Sequence, residues 1–121
     1  MSGHTFRQAW IEGVNKHYPG EPKPGYVRPW EEMSPWEQTA ARTVYEQIEH
    51  FVRVSSGSTT NLTRDQRGRF VATCWIAQIH KLVENPKTSY LADWDDLPEW
   101  QRETDADIFD KVERETLSRL N

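Results

Sequence analysis

The sequence predicts an all-α fold of about four helices, made from two tandem helix-loop-helix repeats with a pseudo-twofold relation. Two observations predict it. The stretch Tyr26-Val27-Arg28-Pro29-Trp30-Glu31-Glu32-Met33-Ser34-Pro35-Trp36 returns 64 residues later as Tyr90-Leu91-Ala92-Asp93-Trp94-Asp95-Asp96-Leu97-Pro98-Glu99-Trp100, in the shared frame Y-x3-W-[DE]-[DE]-[ML]-x2-W. Apolar residues also recur at three- and four-residue spacing in four stretches, each bounded by proline, glycine or capping signals.

The first helix is expected from about residue 5 to 17, where Phe6, Trp10 and Val14 lie four apart and Pro19-Gly20 ends the pattern. Pro22, Pro24, Gly25 and Pro29 keep the next segment extended, pinned by Tyr26 and Trp30. The second helix opens at Ser34-Pro35-Trp36-Glu37, a capping box with proline in the first helical position. Its buried face reads Ala41, Val44, Tyr45, Ile48, Phe51 and Val52. Residues 54–62 are small and polar and predict a flexible joint. The third helix starts near Thr63, with Gln66 completing a capping box, and runs to Asn85-Pro86. With Phe70, Val71, Cys74, Trp75, Ile79, Leu82 and Val83 it reads as the most apolar helix and the central one. The fourth is expected from Asp96-Leu97-Pro98-Glu99, an acidic cap, onward through Ile108, Phe109, Val112, Leu117 and Leu120.

The likeness between the halves reaches beyond the doubled corner. Phe6 matches Phe70, Lys23 matches Lys87, Val44-Tyr45 matches Ile108-Phe109, and with one residue of slip Trp10-Ile11 matches Trp75-Ile76. Repeats of about 4–53 and 67–118 then form one domain over residues 1–121. A half of about 60 residues has too little core to be stable alone, whereas the whole chain can bury roughly two thirds of its surface.

Within each corner the acids Glu31, Glu32, Asp95 and Asp96 are expected at helix caps, where the partial positive charge of a helix N-terminus favours them. Trp30 and Trp94 would fold back on the first turn as staples. The same tryptophans could instead line a groove, because indole serves both cores and binding hot spots. The candidate interaction surface is therefore Trp30, Glu31, Glu32, Trp36, Trp94, Asp95, Asp96, Trp100, Asp105 and Asp107.

Composition narrows the function classes. A formal net charge of −4 argues against direct binding to nucleic acid. The acids concentrate between Asp93 and Asp110, where eight carboxylates meet one base, Arg102. Carboxylates spaced along a rigid helix could imitate duplex phosphates, or simply form a solvated face. No stretch reaches the roughly 20 apolar residues of a membrane span, and the N-terminus lacks signal-peptide features. The lone Cys74 fits a buried thiol in a reducing compartment.

No phosphate-loop, dinucleotide, zinc-protease or C-x-x-C motif is present. Asp105 to Asp110 lacks the glycine and terminal glutamate of a calcium loop. Glu46 and His50 lie one helical turn apart without a third ligand, and Cys74 and His80 fall on different helix faces. The expectation is thus a non-enzymatic chain with no cofactor and no metal. An enzyme would need Glu31, Glu32, Asp95 and Asp96 to converge in one cleft.

The segment Arg69-Phe70-Val71-Ala72, Trp75-Ile76-Ala77-Gln78-Ile79, Asn85-Pro86-Lys87-Thr88-Ser89-Tyr90 and Ala92 through Phe109 resembles small uncharacterised proteins encoded by actinobacteriophages, mycobacteriophages especially. The likeness spans residues 67–112, and the N-terminal half more loosely through Ala9-Trp10 and Pro29 to Met33. The corner W-[DE]-[DE]-L-P-x-W-Q-R-E is also similar to one in phage ryanodine-receptor-type repeat domains, although the H-D-x-W and G-W-x-Y-G segments of those domains are absent here. The resemblance implies a phage accessory protein in the host bacterial cytoplasm, monomeric or homodimeric, that binds a host protein. The other reading is a helical module for a small ligand or nucleotide.

Overall fold

Helix signals and helices coincide closely. The computed structural model describes residues 2–120 and contains four α-helices, α1 (Ser2–His17), α2 (Pro35–Val54), α3 (Arg64–Leu82) and α4 (Glu99–Leu120), separated by short 3-10 turns. No strand occurs among the described residues, so the fold class is all-α with four helices.

Helices α2 and α3 start where side chains can satisfy free backbone donors. At α2 the N–H and hydroxyl of Ser34 both donate to Glu37 Oε1, at 3.3 and 2.8 Å. At α3 the Gln66 N–H donates to Thr63 Oγ1 at 3.1 Å, and the Thr63 N–H donates to Gln66 Oε1 at 2.9 Å. Helix α4 differs from expectation. Its first bonds run from the Gln101 and Arg102 N–H groups to the Pro98 carbonyl, and Asp96 is no cap. Asp95 and Asp96 belong to a 3-10 turn, Trp94–Asp96, as Glu31 and Glu32 belong to Trp30–Glu32. Pro35 and Pro98 disfavour helical backbone at the residue before them, and Ser34 (φ −66°, ψ 156°) and Leu97 (φ −74°, ψ 144°) are extended, which separates the acids from the long helices.

The two corners follow the same backbone course. The turns Pro24–Val27 and Thr88–Leu91 precede them, and Lys23 (φ −61°, ψ 141°) and Lys87 (φ −62°, ψ 140°) enter those turns alike. Pro29 (φ −67°, ψ 160°) and Asp93 (φ −64°, ψ 156°) then lead into the W-[DE]-[DE] turns.

The expected flexible joint is a tightly held turn. Gly57 takes φ +84°, a conformation open to glycine, and Ser58–Asn61 coils into a 3-10 turn with Thr59 buried. Arg67 Nη2 donates to the carbonyls of Thr59 and Thr60 at 3.3 and 3.0 Å, and its Nε donates to that of Leu62 at 3.2 Å. Small polar residues allowed the turn. The arginine three residues into α3 fixes it.

The core is also centred differently from expectation. Fully buried Val44, Ile48 and Val52 of α2 meet Ile108, Phe109 and Val112 of α4, with Phe6 and Ala9 of α1 and Val71 of α3 completing one cluster. Helix α3 buries Gly68, Val71, Ala72, Gln78 and Ile79, but its Phe70, Cys74 and Trp75 stay half-buried along the seam with α2. Apolar content alone therefore overrated α3.

Several contacts recur at positions 64 or 65 apart. Trp10 of α1 meets Trp100 of α4 at 5.8 Å between ring centres, and Trp75 of α3 meets Trp36 of α2 at 6.2 Å. The Tyr45 hydroxyl donates to Glu115, while their counterparts Phe109 and Phe51 pack edge to face. Gly3 lies against the Trp30 ring, and Gly68 against the Trp94 ring.

Candidate interaction surface

Most of the tryptophans expected on a surface are built into the scaffold. Trp94 is only 7% exposed, and its Nε1–H donates to Asp65 Oδ1 at 2.7 Å, fastening the second corner to the first turn of α3. Trp30 is half-buried between His4 and Arg42. Trp100 joins Trp10, Tyr18 and Tyr26 in a four-ring cluster with centroid separations of 5.0 to 5.8 Å. The Trp10 Nε1–H there donates to the Tyr26 carbonyl at 2.9 Å. Trp36 is half-buried against Trp75. Trp10 and Trp94 spend their N–H donors on internal partners, and Trp30, Trp36 and Trp100 pack on neighbouring rings or on Arg42.

The carboxylates divide into two groups. Glu31, Glu32, Asp95 and Asp96 are exposed and line neither of the two grooves described below. Asp105 is 6% exposed, not surface at all, and burial pushes its carboxyl well above the ordinary range. Asp107 is partly buried and paired. Burial by itself would raise it, yet hydrogen bonds from Arg64 and His17, with their charges, outweigh that and hold it below its ordinary value.

Three acids of the run, Glu103, Asp107 and Asp110, are paired from within the chain. Arg64 reaches Glu103, Asp107 and Asp110 at 2.9 Å each, and Arg67 reaches Asp110 at 2.6 Å and Glu113 at 3.1 Å. His17 Nε2 lies 2.8 Å from Asp107 Oδ2. The run's exposed acids are Asp93, Asp95, Asp96 and Glu99, of which Asp95 lies 3.4 Å from Arg69 Nη2. A ladder of free carboxylates along α4, as imitation of duplex phosphate requires, is not what the helix presents.

Two grooves run along the helix seams. The α1/α4 groove, about 390 Å³, is lined by Glu12, Lys16, Arg64, Asp107, Asp110, Lys111 and Arg114, with Ala9 and Gly13 beneath. At Gly13, α1 presses on the buried Thr104, where a β-carbon would collide. The α2/α3 groove, about 520 Å³, is apolar. Phe51, Phe70 and Cys74 make its floor, Val54 its end, and Thr43, Glu46, Gln47 and His50 its rim. Val54 is 63% exposed, and burial pushes the Cys74 thiol up to about 11, which keeps it neutral and unreactive.

Sequence reasoning placed Phe51 and Phe70 among the core residues and passed over this groove. The visible signal was that Phe51 and Val54 extend the apolar stripe of α2, but the stripe alone does not reveal which of these residues α3 leaves uncovered. Among the described residues no group of three metal-ligating side chains forms, and no helix is long and apolar enough to cross a membrane. No protein-family model, curated protein or solved structure matches the chain.

Proposed function

We propose that the chain is a non-enzymatic interaction module that binds another protein; its resemblance to actinobacteriophage proteins makes a host protein the partner. The observation that carries this reading is the apolar α2/α3 groove with its exposed Val54, a shape and chemistry used for docking polypeptide rather than for bond making. Support also comes from the carboxylates. Those at the corners are exposed, and Glu103, Asp107, Asp110 and Glu113 on α4 are occupied by Arg64 and Arg67.

The recurring contacts support descent of the two halves from one duplicated unit. Divergence then sealed one seam with charge and left the other apolar. Affinity capture from an actinobacterial lysate on the immobilised chain tests the proposal, the expected result being one protein retained in stoichiometric amount after washing at moderate salt. Failure to retain any, combined with a rise of several degrees in Tm with a nucleotide or metabolite, would move the chain to the ligand-binding class.

A further inference from the structure

Building on the interaction-module reading, we infer that the α2/α3 groove receives an amphipathic helix of the partner, presenting an aliphatic or aromatic anchor beside an arginine or lysine. The argument comes from comparing the two seams position by position. On the α4 side of the charged groove stand Asp107, Asp110, Lys111 and Arg114. On the α2 side of the apolar groove stand Thr43, Glu46, Gln47 and His50, each 64 residues earlier.

Asp110 is satisfied by two arginines of its own chain, Arg64 and Arg67. Glu46, its counterpart, has no ion-pair partner among the described residues. A cation delivered from outside reproduces at Glu46 the pairing that the chain makes for itself at Asp110. The floor asks for the anchor: Ala9 and Gly13 give the charged groove small lining residues, whereas Phe51, Phe70 and Cys74 give this one large apolar groups that stay half-buried. A seam between two helices accepts a third helix most readily, as ridges of side chains fit such grooves.

A second copy of the chain fits less well. Its exposed large apolar residues are Val54, Tyr90 and Leu120, on separate elements, whereas a helix seated in a groove needs anchors about one turn apart on one face.

The test is selection of displayed helical peptides of about 15 residues on the full-length chain, with Val54→Glu and Glu46→Lys variants as counter-targets. Both positions are exposed, and unchanged circular dichroism and Tm confirm that the variants fold. The expected peptides carry apolar residues at i and i+4 with arginine or lysine alongside, and either variant weakens them about tenfold. Glu46→Lys is expected to select acidic peptides instead. The inference is overturned if no peptide prefers the wild type over Val54→Glu, or if the peptides show no basic bias. A concentration-dependent dimer that Val54→Glu dissociates would overturn it as well, giving the groove to a second copy. A lysate partner indifferent to both variants would leave the interaction-module reading standing and remove the groove from it.

Discussion

Asp105 and Asp107 lie two residues apart on one helix and respond to pH in opposite senses. The Asp105 carboxyl holds its proton more tightly folded than unfolded, so its contribution is most favourable near or below the ordinary value of 3.8 and declines as pH rises through the folded-state pKa. Asp105→Asn is therefore expected to raise Tm at pH 7 to 8 by about 3 to 5 °C, the effect of roughly 1 kcal/mol in a chain of this size, with little gain at pH 4. Asp107, held low by Arg64 and His17, stabilises above its unfolded value and loses that contribution as pH falls through its folded one. Asp107→Asn is expected to lower Tm at neutral pH and to flatten the acid limb of a Tm-against-pH series. The ring contacts at Gly3 and Gly68 make a different residue-scale prediction. A β-carbon at Gly68 would run into Cη2 of Trp94, so Gly68→Ala should cost about 1 to 3 kcal/mol in urea unfolding, although alanine ordinarily favours helix.

Element by element, what could be read beforehand was what depends on neighbours in sequence. The capping boxes at Ser34 and Thr63 placed two helix starts to the residue, because their bonds close within four residues. The start of α4 and the role of the corner acids were misread, since Asp96 is the favoured cap by residue type and only the course of the preceding turn makes Pro98 the first carbonyl of the helix. The polar joint was misread for a related reason. Its order comes from Arg67, whose guanidinium serves Leu62, Thr59 and Thr60 on one side and Asp110 and Glu113 on the other. Arg67→Ala is expected to cost about 3 kcal/mol or more, because Glu113, 5% exposed, would be left without its cation. Restoring part of that loss with Glu113→Gln in a double-mutant cycle checks the cause, and full additivity would refute it.

At the scale of the whole molecule, the doubled corner made four helices legible, but it could not reveal which seam would close. That depends on Gly13 meeting Thr104 in one place and Phe70 meeting Phe51, at 4.7 Å, in the other, contacts between residues distant in sequence. Because α4 packs against α1, α2 and α3, each half depends on the other for its core. Residues 1–57 and 58–121 made as separate fragments should each show weak helical circular dichroism, and mixing them should recover the signal of the intact chain; two independently helical fragments would contradict this. The clamped turn at Ser58–Asn61 has a practical corollary for anyone attaching a dye, tether or reporter domain. The serine- and threonine-rich sequence there invites such grafts, yet they would pry Arg67 from its carbonyls. Gly20, with φ +91° and open space around it, is the place where added chain should leave both the scaffold and the groove undisturbed.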